Sequence, residues 1–197
     1  MLSRNAYREV LLKSLRVGAG LAVATVFVVG ASADPNLPSD IIKARQASMK
    51  AMAEAGKTIA SMFEGKLPYD AVAFKKSAQT ISRHSGDAMV IEFPATTLGP
   101  PSAAKPEIDQ SREEFDALAR KVASFATVIS AAADKAPNGI TQDMRMGSSS
   151  TMGSSLLGKR KVSAGEEDVT KLPAEHAFHL MLQECSSCHA KFREKVK

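Results

Sequence analysis

Tryptophan is absent from the 197 residues, tyrosine occurs twice and cysteine twice. So few large aromatics argue against an aromatic-rich β-sheet. With 44 % apolar residues, and alanine, leucine and methionine recurring in the periodic stretches, the chain reads as helices around one ordinary core. Two cysteines cannot make a disulfide framework, and the one bridge open to them would close a ring too small to restrict the unfolded chain. A charge excess of the kind that binds polyanions is also lacking. The formal net charge is +5, but four of the 26 basic residues and one of the 21 acidic ones lie in the first 33 positions, which leaves +2 for the rest. Nucleic acid is therefore not an expected partner. No internal repeat is evident, and only one uncharged apolar run is long enough to suggest a membrane.

That run covers residues 17–30. Arg4, Arg8, Lys13 and Arg16 precede it and Ala31-Ser32-Ala33 follows it. A basic start, an apolar middle and small residues at the end have the layout of an export signal, so the mature chain is expected to begin at Asp34 and to work in the periplasm. An uncleaved anchor is the alternative, because residues 17–33 fall at the short limit of a span, about 17 to 25 residues. There is no Arg-Arg pair, which favours export of the unfolded chain and membrane contact only during that passage.

Four later segments have helical period. The first starts near Pro38-Ser39-Asp40 and ends before Gly65 and Pro68. Its inward stripe is Ile42, Arg45, Met49, Met52, Gly56, Ile59 and Phe63, at steps of three and four. A second, over about residues 69–88, has Phe74, Ala78 and Ile81 on its buried side. Residues 93–105 carry three prolines and a glycine and read as a crossing over one end of the fold. The third helix opens at Pro106 and closes at Pro137-Asn138-Gly139, with Phe115, Leu118, Val122, Phe125 and Ile129 inward. Residues 138–170 include a Gly/Ser-rich run and read as a flexible excursion containing Met144, Met146 and Met152. The last helix starts at Pro173, with the stripe Phe178, Leu182, Cys185, His189, Phe192 and Val196. Four amphipathic helices without a strand pattern predict an all-α antiparallel four-helix bundle over residues 34–197.

Both cysteines fall in Cys185-Ser186-Ser187-Cys188-His189 on that last helix. Cys-x-x-Cys-His is the attachment pattern of haem c: two thiols add across two vinyl groups, and the adjacent imidazole binds iron from one face. A thioredoxin-like pair would need a strand before it, and none is expected. Zinc is a further alternative, since His176 and His179 lie nearby, but offsets of nine and ten residues on one rigid helix separate the outer pairs by about 14 Å. The stripes add an independent hint. Arg45 is a charge turned inward, which is costly unless paired, and the haem propionates would pair it; the alternative is an arginine that reaches out at the bundle's end. Met49, one turn on, could reach the iron opposite His189, although a methionine in a stripe also serves as core filling.

The terminal "CSSCHAKFR" and the early "ARQASMKAM" resemble class II c-type cytochromes, the cytochrome c′ and cytochrome c-556 family, over residues 37–197 apart from the excursion. The resemblance implies a four-helix bundle with one haem c on the last helix. It further implies Cys185 and Cys188 as thioether anchors, His189 as proximal ligand, Met49 after Arg45-Gln46 as distal ligand, and Arg193 near the haem. Members with methionine at the distal position look like low-spin electron carriers, and the main expectation is a periplasmic carrier of single electrons, not an enzyme, cycling Fe(III)/Fe(II) with redox partner proteins. The alternative is a five-coordinate cytochrome c′ that binds nitric oxide or carbon monoxide. Family members often dimerise, so the resemblance leaves a homodimer open, and the sequence does not decide it. The long excursion departs from the family pattern.

Overall fold

The computed structural model describes residues 38–147 and 168–195, so the expected export signal, Met152 and Val196 lie outside the described residues. Six α-helices and no strand occur among these residues: α1 Pro38–Phe63, α2 Ala71–Arg83, α3 Asp87–Ile91, α4 Glu107–Gln110, α5 Arg112–Lys135 and α6 Ala174–Phe192. The four long ones, α1, α2, α5 and α6, form the antiparallel bundle. α2 packs on α5, α5 on α6 and α1 on α2.

Local chemistry sets the ends. Asp40 stands in the first turn of α1, where negative charge meets the positive end of the helix dipole. Beyond its far end Gly65 takes φ +70 and directs the chain away, the left-handed step that suits glycine after a helix. Asp70 caps α2 by accepting the Ala73 amide at 2.7 Å, satisfying a donor that has no partner inside the helix.

Two expected helices are interrupted. Residues 69–88 do not form one helix: the hydroxyl of Ser85 donates to the Ile81 carbonyl, Gly86 takes φ +59, and α3 starts afresh at Asp87. The Gly86 amide donates to the Ala119 carbonyl at 2.9 Å, so the break is held against α5. The expected third helix is likewise divided at Ser111, which separates α4 from α5.

The core forms two clusters. Ile59, Phe63, Phe74, Ile129, Ala126 and Phe178 belong to the larger one, where the Phe63 and Phe74 rings meet edge to face at 5.3 Å. Met89, Phe93, Ile108, Phe115 and Phe192 form the smaller one at the end closed by residues 93–105.

The segment expected to be a flexible excursion is tighter than its composition suggests at both described ends. Residues 142–144 form a 3₁₀ turn that buries Met144 to 2 % exposure. Arg145 donates to the Phe63 carbonyl at 2.7 Å and to Glu175 at 3.1 Å, and Glu175 also accepts the Met146 amide. Val169–Lys171 form a second 3₁₀ turn before α6. Residues 142–146 are thus held against the end of α1 and against Glu175, with Met144 in the larger core cluster.

Candidate functional site

The inward stripes of α1 and α6 are closed at their ends and open in the middle. Ile59 and Phe63 on α1, with Phe178 and Phe192 on α6, are buried, whereas Met49, Met52 and Gly56 on one helix and Leu182, Cys185 and His189 on the other stay accessible. They are accessible because they face two adjoining cavities of about 390 Å³ and 350 Å³ between the helices. Met49, Ala53, Cys188 and His189 line both cavities, and Cys185 lines the second. The fold therefore brings four of the sequence-predicted residues, Cys185, Cys188, His189 and Met49, around one space, three from α6 and one from the facing α1.

The two cavities differ in chemistry. The second is walled by Met52, Ile81, Met89, Val122, Phe178 and Met181, and it reaches both cysteines. The first is flanked by the aromatic row Phe93, Phe115 and Phe192, with neighbouring centroids 5.0 and 5.5 Å apart, and its rim carries Lys50 and Arg193. An apolar end beside two thiols and a cation-rimmed end match the two edges of a haem, whose vinyl groups are apolar and whose propionates are anionic. The residues present fit haem c.

Burial holds both thiols protonated and the imidazole neutral. Both cysteines are free. Burial pushes the Cys185 thiol up, with Glu184 adding to it, and burial beside Cys185 pushes Cys188 up to about 11. His189 goes the other way: desolvation by its walls, then the nearby Arg193 guanidinium, hold its pKa below the ordinary value and favour the neutral ring that can bind a metal. His179 lies in a separate open groove with Leu182, Gln183 and Ser186, away from this centre.

Arg45 and Arg193 both border the first cavity. Arg193 follows α6 and is exposed. Arg45 is 4 % exposed, and its guanidinium is taken up by protein: it donates to the Glu92 carbonyl, to the Thr97 hydroxyl and carbonyl, and to the Ser102 hydroxyl, at 2.6 to 3.3 Å, above the Phe93 ring. Burial lowers its pKa and Glu92 opposes the fall. Sequence reasoning missed these partners, and it missed Lys50, because the crossing that supplies most of them has no period. One missed signal was readable: Ala53, Gly56 and Ala60 follow Met49 at steps of three and four and leave α1 a shallow face on the cavity.

A four-helix bundle that presents Cys-x-x-Cys-His to an apolar slot between its first and last helices is a c-type cytochrome of class II. Residues 40–150 match the family described as cytochrome c′. A cytochrome c′ of Rhodopseudomonas palustris is 36 % identical over 110 residues, 54 % of this chain and 75 % of that protein. Among solved structures, cytochrome c′ from Rhodopseudomonas palustris is similar with a TM-score of 0.53 and 28 % identity, over 80 % of this chain and 98 % of the other. Cytochrome c′ from Thermochromatium tepidum has a TM-score of 0.55 over 81 % and 98 %, and at 23 % identity shows the fold alone. The chain belongs to the cytochrome c′ family, and its cofactor is haem c with its iron. The matched residues end before Cys185, so the haem motif is evidence separate from the family match.

Proposed function

We propose that the chain is a periplasmic mono-haem protein that holds iron on one side through His189 and offers the other side to a small uncharged ligand, nitric oxide or carbon monoxide. The relatives support this reading over that of a dedicated electron carrier, since they bear the name cytochrome c′. The observation that carries it is the distal wall. Only two residues of α1 border both cavities, Met49 and Ala53, and of these only Met49 has a donor atom, a soft thioether that in this reading packs the wall and leaves the position opposite His189 open.

Haem, when bound, would supply an iron atom able to take up one electron and a small ligand. The chain does the rest. Cys185 and Cys188 hold the group as thioethers, and neutral His189 presents a ring nitrogen. Phe93, Phe115 and the methionines of the second cavity keep water from the slot. Lys50 and Arg193 have no salt-bridge partner among the described residues, which supports a propionate edge at the first cavity, with Arg45 adding charge behind them. No substrate bond is made or broken in this reading, so the protein is not an enzyme.

A second reading is favoured by Met49 itself. Its position on α1 facing His189 suits a low-spin carrier of single electrons with His189 and Met49 bound in both oxidation states, serving redox partner proteins. Visible and near-infrared spectra of both oxidation states, with the rate of carbon monoxide binding to ferrous protein, test the two. High-spin iron and fast binding are expected; a low-spin spectrum with a thioether-to-iron band and slow binding would establish the carrier. Residues 1–33 are proposed as a cleaved leader, which N-terminal sequencing of exported protein checks. A homodimer is proposed by analogy with a solved cytochrome c′, 21 % identical with a TM-score of 0.54, described as having ligand-controlled dimer dissociation. Sedimentation with and without carbon monoxide tests it.

A further inference from the structure

Arg45 is the only charged residue among the described ones that is fully buried. Its four hydrogen-bond acceptors and the ring beneath it all belong to residues 92–102, which leave α3 and cross the end of the bundle. Ser102 passes the contact on, since its hydroxyl oxygen also accepts the Ala104 amide at 3.0 Å. The far end of the crossing is joined to the end of α6: Ala104 pairs with Arg193 as an antiparallel bridge, the Lys105 amide donates to the Phe192 carbonyl at 3.0 Å, and the Glu194 amide to the Ala103 carbonyl at 2.8 Å. A continuous strap thus runs from Arg45, one turn before Met49, to residues 192–194, about one turn after His189. The helices carrying Met49 and His189 face each other across the two cavities, and this strap ties them at the cavity's end.

We propose that Arg45 is a positioning residue, which through the crossing sets the separation of the distal Met49 side from the proximal His189 side and so governs the sixth coordination position of the iron. The proposal rests on the haem reading above. It differs from a direct propionate contact in its chemistry, because the N–H groups of both terminal guanidinium nitrogens are already given to Glu92, Thr97 and Ser102. A planar fork that serves several oxygens at once cannot be replaced by an ammonium, whereas a charge near a carboxylate can.

The test uses holoprotein matured with a haem-attachment system, with covalent haem measured first as the pyridine haemochrome. Arg45→Lys keeps the charge and loses the fork; Thr97→Val alters the strap at a residue that borders neither cavity. Both are expected to load haem fully, to shift the high-spin to low-spin balance of the ferric spectrum, and to change the carbon monoxide association rate severalfold. Both should also speed hydrogen exchange at the Lys105 and Glu194 amides. If Arg45→Lys restores parental spectra and rates while Thr97→Val changes neither, Arg45 acts by charge alone and the proposal is overturned. Should Arg45→Lys fail to accumulate, Thr97→Val decides by the same readouts. Parental protein without covalent haem would overturn the haem reading instead, an outcome the first assay separates from failure of the strap.

Discussion

At Met49 one side chain separates two functions. A thioether bound to iron favours the reduced state and keeps other ligands out; the same side chain packed beside an open position does neither. On the ligand-binding reading, Met49→Leu leaves the ferric protein high spin and changes the carbon monoxide association rate by less than about tenfold, equivalent to about 1.4 kcal/mol. A parental low-spin spectrum that turns high spin in the variant would establish an iron–sulfur bond and make the protein a carrier. The cysteines act independently of this choice. Replacing both with alanine is expected to leave haem extractable by acidified acetone, whereas haem stays with the parental chain, because thioethers and not the apolar slot make the attachment permanent.

Helix boundaries carry the next set of consequences. Gly86 has φ +59, and a Cβ there would lie 3.2 Å from the Ala123 side chain, so Gly86→Ala meets both backbone strain and crowding where α3 turns against α5. A loss of about 1–3 kcal/mol is expected in urea unfolding. Phe74→Ala, at a fully buried ring in contact with Phe63, is expected to cost about 3–5 kcal/mol. These elements also show what could be read beforehand. α1 and α6 were legible because steps of three and four mark a helix face, and the haem motif because thioether chemistry demands its spacing. The breaks at Gly86 and Ser111 were not, since the apolar residues that flank them, Ile81 with Ala88 and Ile108 with Phe115, stand seven apart and keep one helix face in register, and only contact with α5 or a local turn stops the helix. Arg45 was read correctly as inward, but its partners sit 47 to 57 positions away on a segment with no pattern. The ordered start of the excursion was hidden for the same reason: Met144 and Arg145 find their places through the end of α1 and through Glu175.

For the molecule as a whole, binding and folding are linked through protons that haem attachment removes. In the apoprotein the two thiols have raised pKa values, Cys188 to about 11, so the folded chain retains protons that the unfolded chain, with thiols near ~8.5, has already released. Their contribution to stability is complete below about pH 8.5 and is lost as pH rises through the raised folded values, about 11 for Cys188. His189 has the opposite sign: its folded pKa lies below the ordinary value near ~6.5, so the unfolded chain binds the extra proton first and stability declines as pH falls through that region. Thioethers do not titrate, and an imidazole bound to iron does not protonate in this range. Groups remote from the two cavities are common to both forms, so the difference reports the three that the haem takes. The stability difference between holoprotein and apoprotein, from urea midpoints over about pH 5 to 10, should therefore be smallest near neutrality and widen on both sides. A difference that stays flat with pH would mean that Cys185, Cys188 and His189 are not the groups the haem takes.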